Sequence, residues 1–248
     1  MATIRRYSQK FETLVIGVCI EQSGSMLSFD AVLSNASVHH GGKDAVLAMS
    51  ENGHAVPDYA RIPADRLLSV MTRCVFNAGF NWKVIDAKWE GFEAAFEGFD
   101  PGKLAFFGDE MMGKLVSDER IVRNGQKIRA TLENAAFVHR IETEDGGFAA
   151  KLANWDAADQ LGLLAWLSKD GSRLGGATAQ YYLRFSGWDA WIASGDVCRA
   201  LAGAGILDKP TATSKSALRK VQDTVNSLHD ESGLPRAQIS RLLALSVG

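Results

Sequence analysis

Between Trp82 and Phe96 the large apolar residues recur at intervals of three and four. Trp82, Ile85, Trp89, Phe92 and Phe96 therefore fall on one stripe of a helix, whereas a strand, alternating faces at every residue, would scatter them. The spacing predicts one helix over 82–96, ending at Gly98, with "FDPGK" as a break. The same period recurs over 63–77, where Leu67, Leu68, Met71, Val75 and Phe76 form an apolar face behind Pro63, a favourable first-turn residue. Further helices are predicted at 101–107, 109–117, 126–143, 147–153, 158–169, 175–186, 196–204, 214–230 and 235–246, with Ser214 and Pro235 as start signals.

Strand-like alternation is scarce, a short strand at 12–20 being the one candidate. The expected fold is all-α (mainly): a two-lobed helical bundle forming a single domain over 1–248. Residues 58–248 make its helical core. Residues 1–57 are the least legible part, with "SNASVHHGGKD" and "ENGHAVPD" reading as loops.

Composition narrows the function. A hydrophobic content of 46% supports a large core and excludes a disordered chain. A net charge of −2 means that any nucleic-acid role must rest on a local basic patch. The three cysteines, Cys19, Cys74 and Cys198, are odd in number and widely spaced, which argues against a disulfide framework and a four-cysteine metal cluster. A reducing, cytoplasmic setting is expected, with no metal and no cofactor. The apolar run "LVIGVCI" is too short to span a membrane, so no membrane partner is expected. His39 and His40 are adjacent in sequence, point apart and lack a third ligand, so a loop is the better reading.

The segment "SRLGGATAQYYLR" has the shape of two helices joined by a tight hairpin, at 171–180. Gly175 and Gly176 would let backbone approach a phosphate, and the amides around Ala177, Thr178 and Ala179 would point at the anion. Leu174 would plug the hairpin onto the domain, and Arg173 is the best-placed cation. A glycine-rich turn between two helices, without any ligand, explains the same letters. Eighteen residues after Thr178 stands Asp196, at a predicted helix start, where a carboxylate could equally cap its own helix.

Taken together, "AGFNW" (78–82), "FEGFDP" (96–101) and "IVRNGQKIRATLENA" (121–135), in that order, resemble the 3-methyladenine DNA glycosylase I branch of the helix–hairpin–helix DNA glycosylases. The hairpin followed by an aspartate resembles the wider superfamily. The resemblance implies a partner, double-stranded DNA with a damaged base, and a monomeric enzyme that flips the base out and cuts its glycosidic bond. It implies Asp196 as the catalytic carboxylate, with Asp189 as the fallback. It implies substrate contacts at Trp82, Phe80, Asn77, Cys74 and Tyr59, and DNA contacts at Arg173, Leu174, Gly175, Gly176 and Thr178.

The departures bear on mechanism. The branch carries a base-binding glutamate eight residues before the tryptophan of its "AGLSW"; here that position is Cys74. Asn77, three residues on, offers an amide in its place. The zinc clasp of the branch has no counterpart. The lysine that many superfamily members place before the hairpin's Thr-Ala, to nick the strand through a Schiff base, is here Ala177. A monofunctional glycosylase acting on an alkylated base such as 3-methyladenine is therefore expected. The alternatives are a non-catalytic, damage-sensing relative and a helical interaction module that never meets DNA.

Overall fold

The structure is a computed structural model, and it describes residues 27–51 and 58–248. The expected strand at 12–20 and Cys19 lie outside the described residues, as does most of "ENGHAVPD". Among the described residues there is no strand, and the all-α class holds.

Helices α1 (Phe29–His39) and α2 (Lys43–Ser50) occupy most of the segment expected to be loop, and that expectation is corrected. Ser28 starts α1 by accepting a hydrogen bond from the Ala31 amide. Only Val32, Leu33 and Ala36 of α1 and Val46 of α2 supply a buried apolar stripe, set among Ser, Asn and His. Short helices with so thin a stripe hold through tertiary packing rather than propensity.

Helix α3 (Ala64–Asn77) follows Pro63 as the apolar period predicts. The expected single helix over 82–96 is instead two, α4 (Trp82–Ala87) and α5 (Trp89–Ala95), broken at Lys88. Periodicity does not register the break, because the buried stripe runs through it. The rings beyond it form a stack: centroids lie 5.0 Å apart for Trp89 and Phe92, 6.2 Å for Phe92 and Phe96, and 5.4 Å for Phe96 and Phe99. Trp82, before the break, faces a different helix.

Next come α6 (Pro101–Leu104), capped by Asp100, and α7 (Asp109–Ser117). The long α8 (Gly125–Glu144), capped by Asn124, is followed by α9 (Phe148–Ala153) and α10 (Gln160–Asp170). The chain ends with α11 (Ala177–Ser186), α12 (Gly195–Gly203), α13 (Lys215–Ser232) and α14 (Arg236–Leu245).

Two apolar cores make the two lobes. One is built from α3 and α4 to α11; the other joins α1 and α2 to α12, α13 and α14. Leu164 of α10 packs against both. The segment 187–194 crosses between them. Gln160 grips it at both ends of its amide, donating to the Trp191 carbonyl and accepting from the Trp191 amide, each at 2.8 Å.

Glu93 of α5 ties that helix to α3. Its carboxylate accepts both terminal guanidinium nitrogens of Arg66 at 3.0 Å, the Ser69 hydroxyl at 2.8 Å and the Trp89 indole N–H at 3.1 Å. Burial alone would raise its pKa, but Arg66 and the other donors outweigh burial and hold it below the usual value. The stabilisation is therefore fully present above the ordinary glutamate value of about 4.3 and disappears as pH falls through the lowered folded value. Glu93→Gln is expected to cost about 2 kcal/mol at neutral pH. Urea titrations should show the gap from the wild type closing below about pH 4; a gap that persists in acid would count against this account.

Candidate functional site

The segment 78–82 turns sharply out of the C-terminus of α3. Gly79 sits at φ 68°, a left-handed conformation that favours glycine. Two large rings follow within three residues, and both stand out of the protein: Phe80 is 44% and Trp82 42% exposed. Asn81, between them, caps α4 through the Lys83 amide.

Lys127 of α8 secures this turn from beneath. Its buried ammonium donates to the carbonyls of Phe76 and Ala78, each at 2.8 Å. These are terminal groups of α3, where the helix dipole favours a cation. The same ammonium lies 5.9 Å from the Phe76 ring centroid and 5.8 Å from that of Phe80. Burial, with Arg173 nearby, pulls its pKa below the usual lysine value.

The hairpin lies beside this turn. Gly176 takes φ 58° and ψ −130°, a combination open essentially to glycine alone. Leu174 is buried in the first core, while Arg173, Gly175 and Gly176 are exposed and Thr178 half-buried. Asn134 of α8 fixes the hairpin backbone, accepting from the Ser172 amide at 2.7 Å and donating to the Ser172 carbonyl at 3.0 Å. Asn134 was not singled out from the sequence; its place in "LENA" was the only signal. Arg173 donates to Gln126, and with Arg123, Arg129 and Phe80 it lines an open groove of about 860 Å³ at the N-terminus of α8. Arg173 of the hairpin and Arg123 and Arg129 around the start of α8 thus face one groove, an arrangement suited to phosphates.

Trp82 leads from that groove to a second cleft. Its ring meets Tyr181 and Phe185 of α11 edge-on, at centroid distances of 5.8 and 5.6 Å. Tyr181 and Phe185 also line a cleft of about 390 Å³ together with Asp196. Sequence reasoning passed over Tyr181 and Phe185, although their four-residue spacing on a helix puts them on one face. Asp196 lies in the first turn of α12. It does not cap that helix: Ser194 does, by accepting from the Val197 amide. Its carboxylate is half-exposed and pairs with Arg199 one turn along.

Asp189 is occupied elsewhere. It accepts the Arg236 and Ala237 amides at 3.1 and 2.8 Å and so caps α14, which removes it as an alternative to Asp196. Three other candidates are not brought into this cleft. Cys74 is buried, and burial pushes its thiol up to about 12, so it is not a nucleophile. Asn77 is buried as well, its amide oxygen without a hydrogen-bond partner among the described residues. Tyr59 donates to or accepts from the Ser186 hydroxyl at 2.8 Å, and borders a different cleft with Trp155 and Asp189. Tyr59 and Cys74 face Ser186 and Tyr182 of α11, which packs over α3.

Comparison with known proteins bears on the part of the chain that carries these turns. Residues 60–162 match the methyladenine glycosylase family. The match contains Phe80, Trp82, Lys127 and Asn134, and it stops before the hairpin and Asp196. The DNA-3-methyladenine glycosylase 1 of Escherichia coli (strain K12) is 40% identical over 65 residues, which are 26% of this chain and 35% of that protein. The chain thus spans about a third of the length of this curated relative. Among solved structures, a variant of 3-methyladenine DNA glycosylase I from Staphylococcus aureus aligns at 25% identity with a TM-score of 0.47, covering 59% of this chain and 88% of its own. A second glycosylase I structure, in complex with 3-methyladenine, aligns at 25% identity and a TM-score of 0.47, covering 60% and 89%. Over residues 60–162 the chain is similar to the methyladenine glycosylases. Among the described residues, no helix is long and apolar enough to cross a membrane.

Proposed function

We propose that the protein is a monofunctional DNA glycosylase of the helix–hairpin–helix type, which flips an alkylated base such as 3-methyladenine out of duplex DNA and excises it by hydrolysis. The observation that carries this reading is the meeting of Trp82, Tyr181 and Phe185 at the rim of the cleft holding Asp196. The family match over 60–162 supports it independently.

In this mechanism the hairpin and the arginine groove hold the phosphates without reading sequence. Everting a base costs a few kcal/mol, least at a damaged pair. Phe80, exposed at the turn, stacks against the bases left behind, and the rings of Trp82, Tyr181 and Phe185 receive the everted one. A 3-alkyladenine is cationic, and an indole face offers it roughly 0.5–2 kcal/mol of attraction. As the bond from the base to the sugar breaks, its electron pair leaves with the base and the sugar gains oxocarbenium character. Asp196 stabilises that charge and orients the water that adds to the sugar, with Arg199 giving up its share of the carboxylate. Ala177 supplies no amine for a Schiff base, so no strand nicking follows.

A second reading, a non-catalytic sensor of damaged DNA, is favoured by Cys74, buried where the resembling branch has a base-binding glutamate. The two separate on methylated duplex DNA. Chromatography of the soluble bases is expected to show 3-methyladenine, with strands intact until alkali is added. Binding without any base release would remove the catalytic reading for this substrate.

A further inference from the structure

We propose that Arg184 and Arg241 form a phosphate seat at the end of the Asp196 cleft, holding the phosphodiester that flanks the everted nucleotide. This deepens the glycosylase reading and rests on it.

Both guanidinium groups line the same cleft as Tyr181, Phe185 and Asp196. Arg184 comes from α11, and its Nε donates to the Ala190 carbonyl at 2.8 Å, which fixes its plane. Its Nη1 makes no hydrogen bond among the described residues. Arg241 comes from α14, is exposed, and has neither a hydrogen bond nor an ion pair among the described residues. The position of its helix is fixed by Ser240, whose hydroxyl accepts from the Ile192 amide at 3.0 Å and donates to the Ile192 carbonyl.

No carboxylate lies within ion-pair distance of either guanidinium among the described residues. Asp196 is taken by Arg199, and Asp189 by Arg236 and the start of α14. Arg184 feels the like charge of Arg241 and, more strongly, the opposite charge of Asp189. Two guanidiniums beside one cleft suit an anion shared between them. Ser194 and Asp196, at the start of α12, line the same cleft. Aromatic rings, guanidiniums and a carboxylate around one cleft match the three parts of a nucleotide: base, phosphate and sugar. The forked guanidinium suits a phosphodiester.

Arg241 is the residue to vary, because Arg184 also holds the fold. Duplex DNA containing a tetrahydrofuran abasic analogue is titrated at several salt concentrations against wild type, Arg241→Ala and Arg241→Gln. A thermal melt confirms that each variant is folded. Both variants are expected to bind about tenfold more weakly, with the salt slope reduced by about one phosphate. A neutral methylphosphonate placed beside the analogue should weaken the wild type by a similar factor and leave the Arg241 variants unchanged. An unchanged slope, or effects of protein and DNA changes that multiply instead of overlapping, would overturn the seat. Failure of the glycosylase reading looks different: no preference for the abasic analogue over intact duplex and no base release, whatever Arg241 does to the slope.

Discussion

Asp196→Asn is expected to slow base release by about a hundredfold or more, the range set by a positioned carboxylate that meets developing charge. DNA affinity should stay within about threefold, since no phosphate contact is lost. Stability should hardly move: the pair broken, Asp196 with Arg199, is half-exposed, and such pairs are worth about 0–1 kcal/mol. Ser194, not Asp196, caps α12, so the helix start survives the change. Single-turnover release of 3-methyladenine, with a parallel binding titration, reads both quantities. Unimpaired release by the asparagine variant would remove Asp196 from the chemistry and leave the cationic leaving group to depart on its own. A tenfold loss of affinity, by contrast, would recast Asp196 as a binding residue.

Lys127→Ala is expected to have the largest effect on stability and a second effect on activity. The variant leaves the carbonyls of Phe76 and Ala78 without their donor and opens a gap beneath the Phe76 and Phe80 rings. Losing hydrogen bonds from a charged donor in a buried place costs about 2–4 kcal/mol, and in a chain of this size each kcal/mol lowers the melting point by about 2–4 °C. The functional consequence follows from position. Lys127 holds the turn that carries Phe80 and Trp82, so base release should fall further than stability alone explains. Lys127→Met keeps the stem and removes the donors; it should recover part of the melting point and little of the activity. Equal recovery of both would make Lys127 a packing residue only.

Local signals in the sequence were sufficient where a helix declares itself by period and cap. The start of α3 behind Pro63, the extents of α7 and α13, and the hairpin between α10 and α11 all follow from residues close together in the chain. The burial of Leu174 was readable for the same reason: one apolar residue in a polar turn has few other uses. The failures share a cause. The segment 34–44 reads as loop because the helices it belongs to carry only a thin apolar stripe and are stabilised by α14, some two hundred residues away. The break at Lys88 leaves the apolar period intact and so leaves no local trace.

The site divides along the same line. The family resemblance made Trp82 and Asp196 candidates, and its place in the hairpin made Arg173 one. Which of them meet was decided by the packing of α11 against α3 and of α12 against α14. That packing buried Cys74 and Asn77, spent Asp189 on a helix cap, and brought Tyr181 and Phe185 to Trp82 across about a hundred residues of chain. Period and capping act over one or two helical turns, so a sequence carries them openly. A cleft is made by surfaces from distant helices, and their contact exists only once both cores have closed.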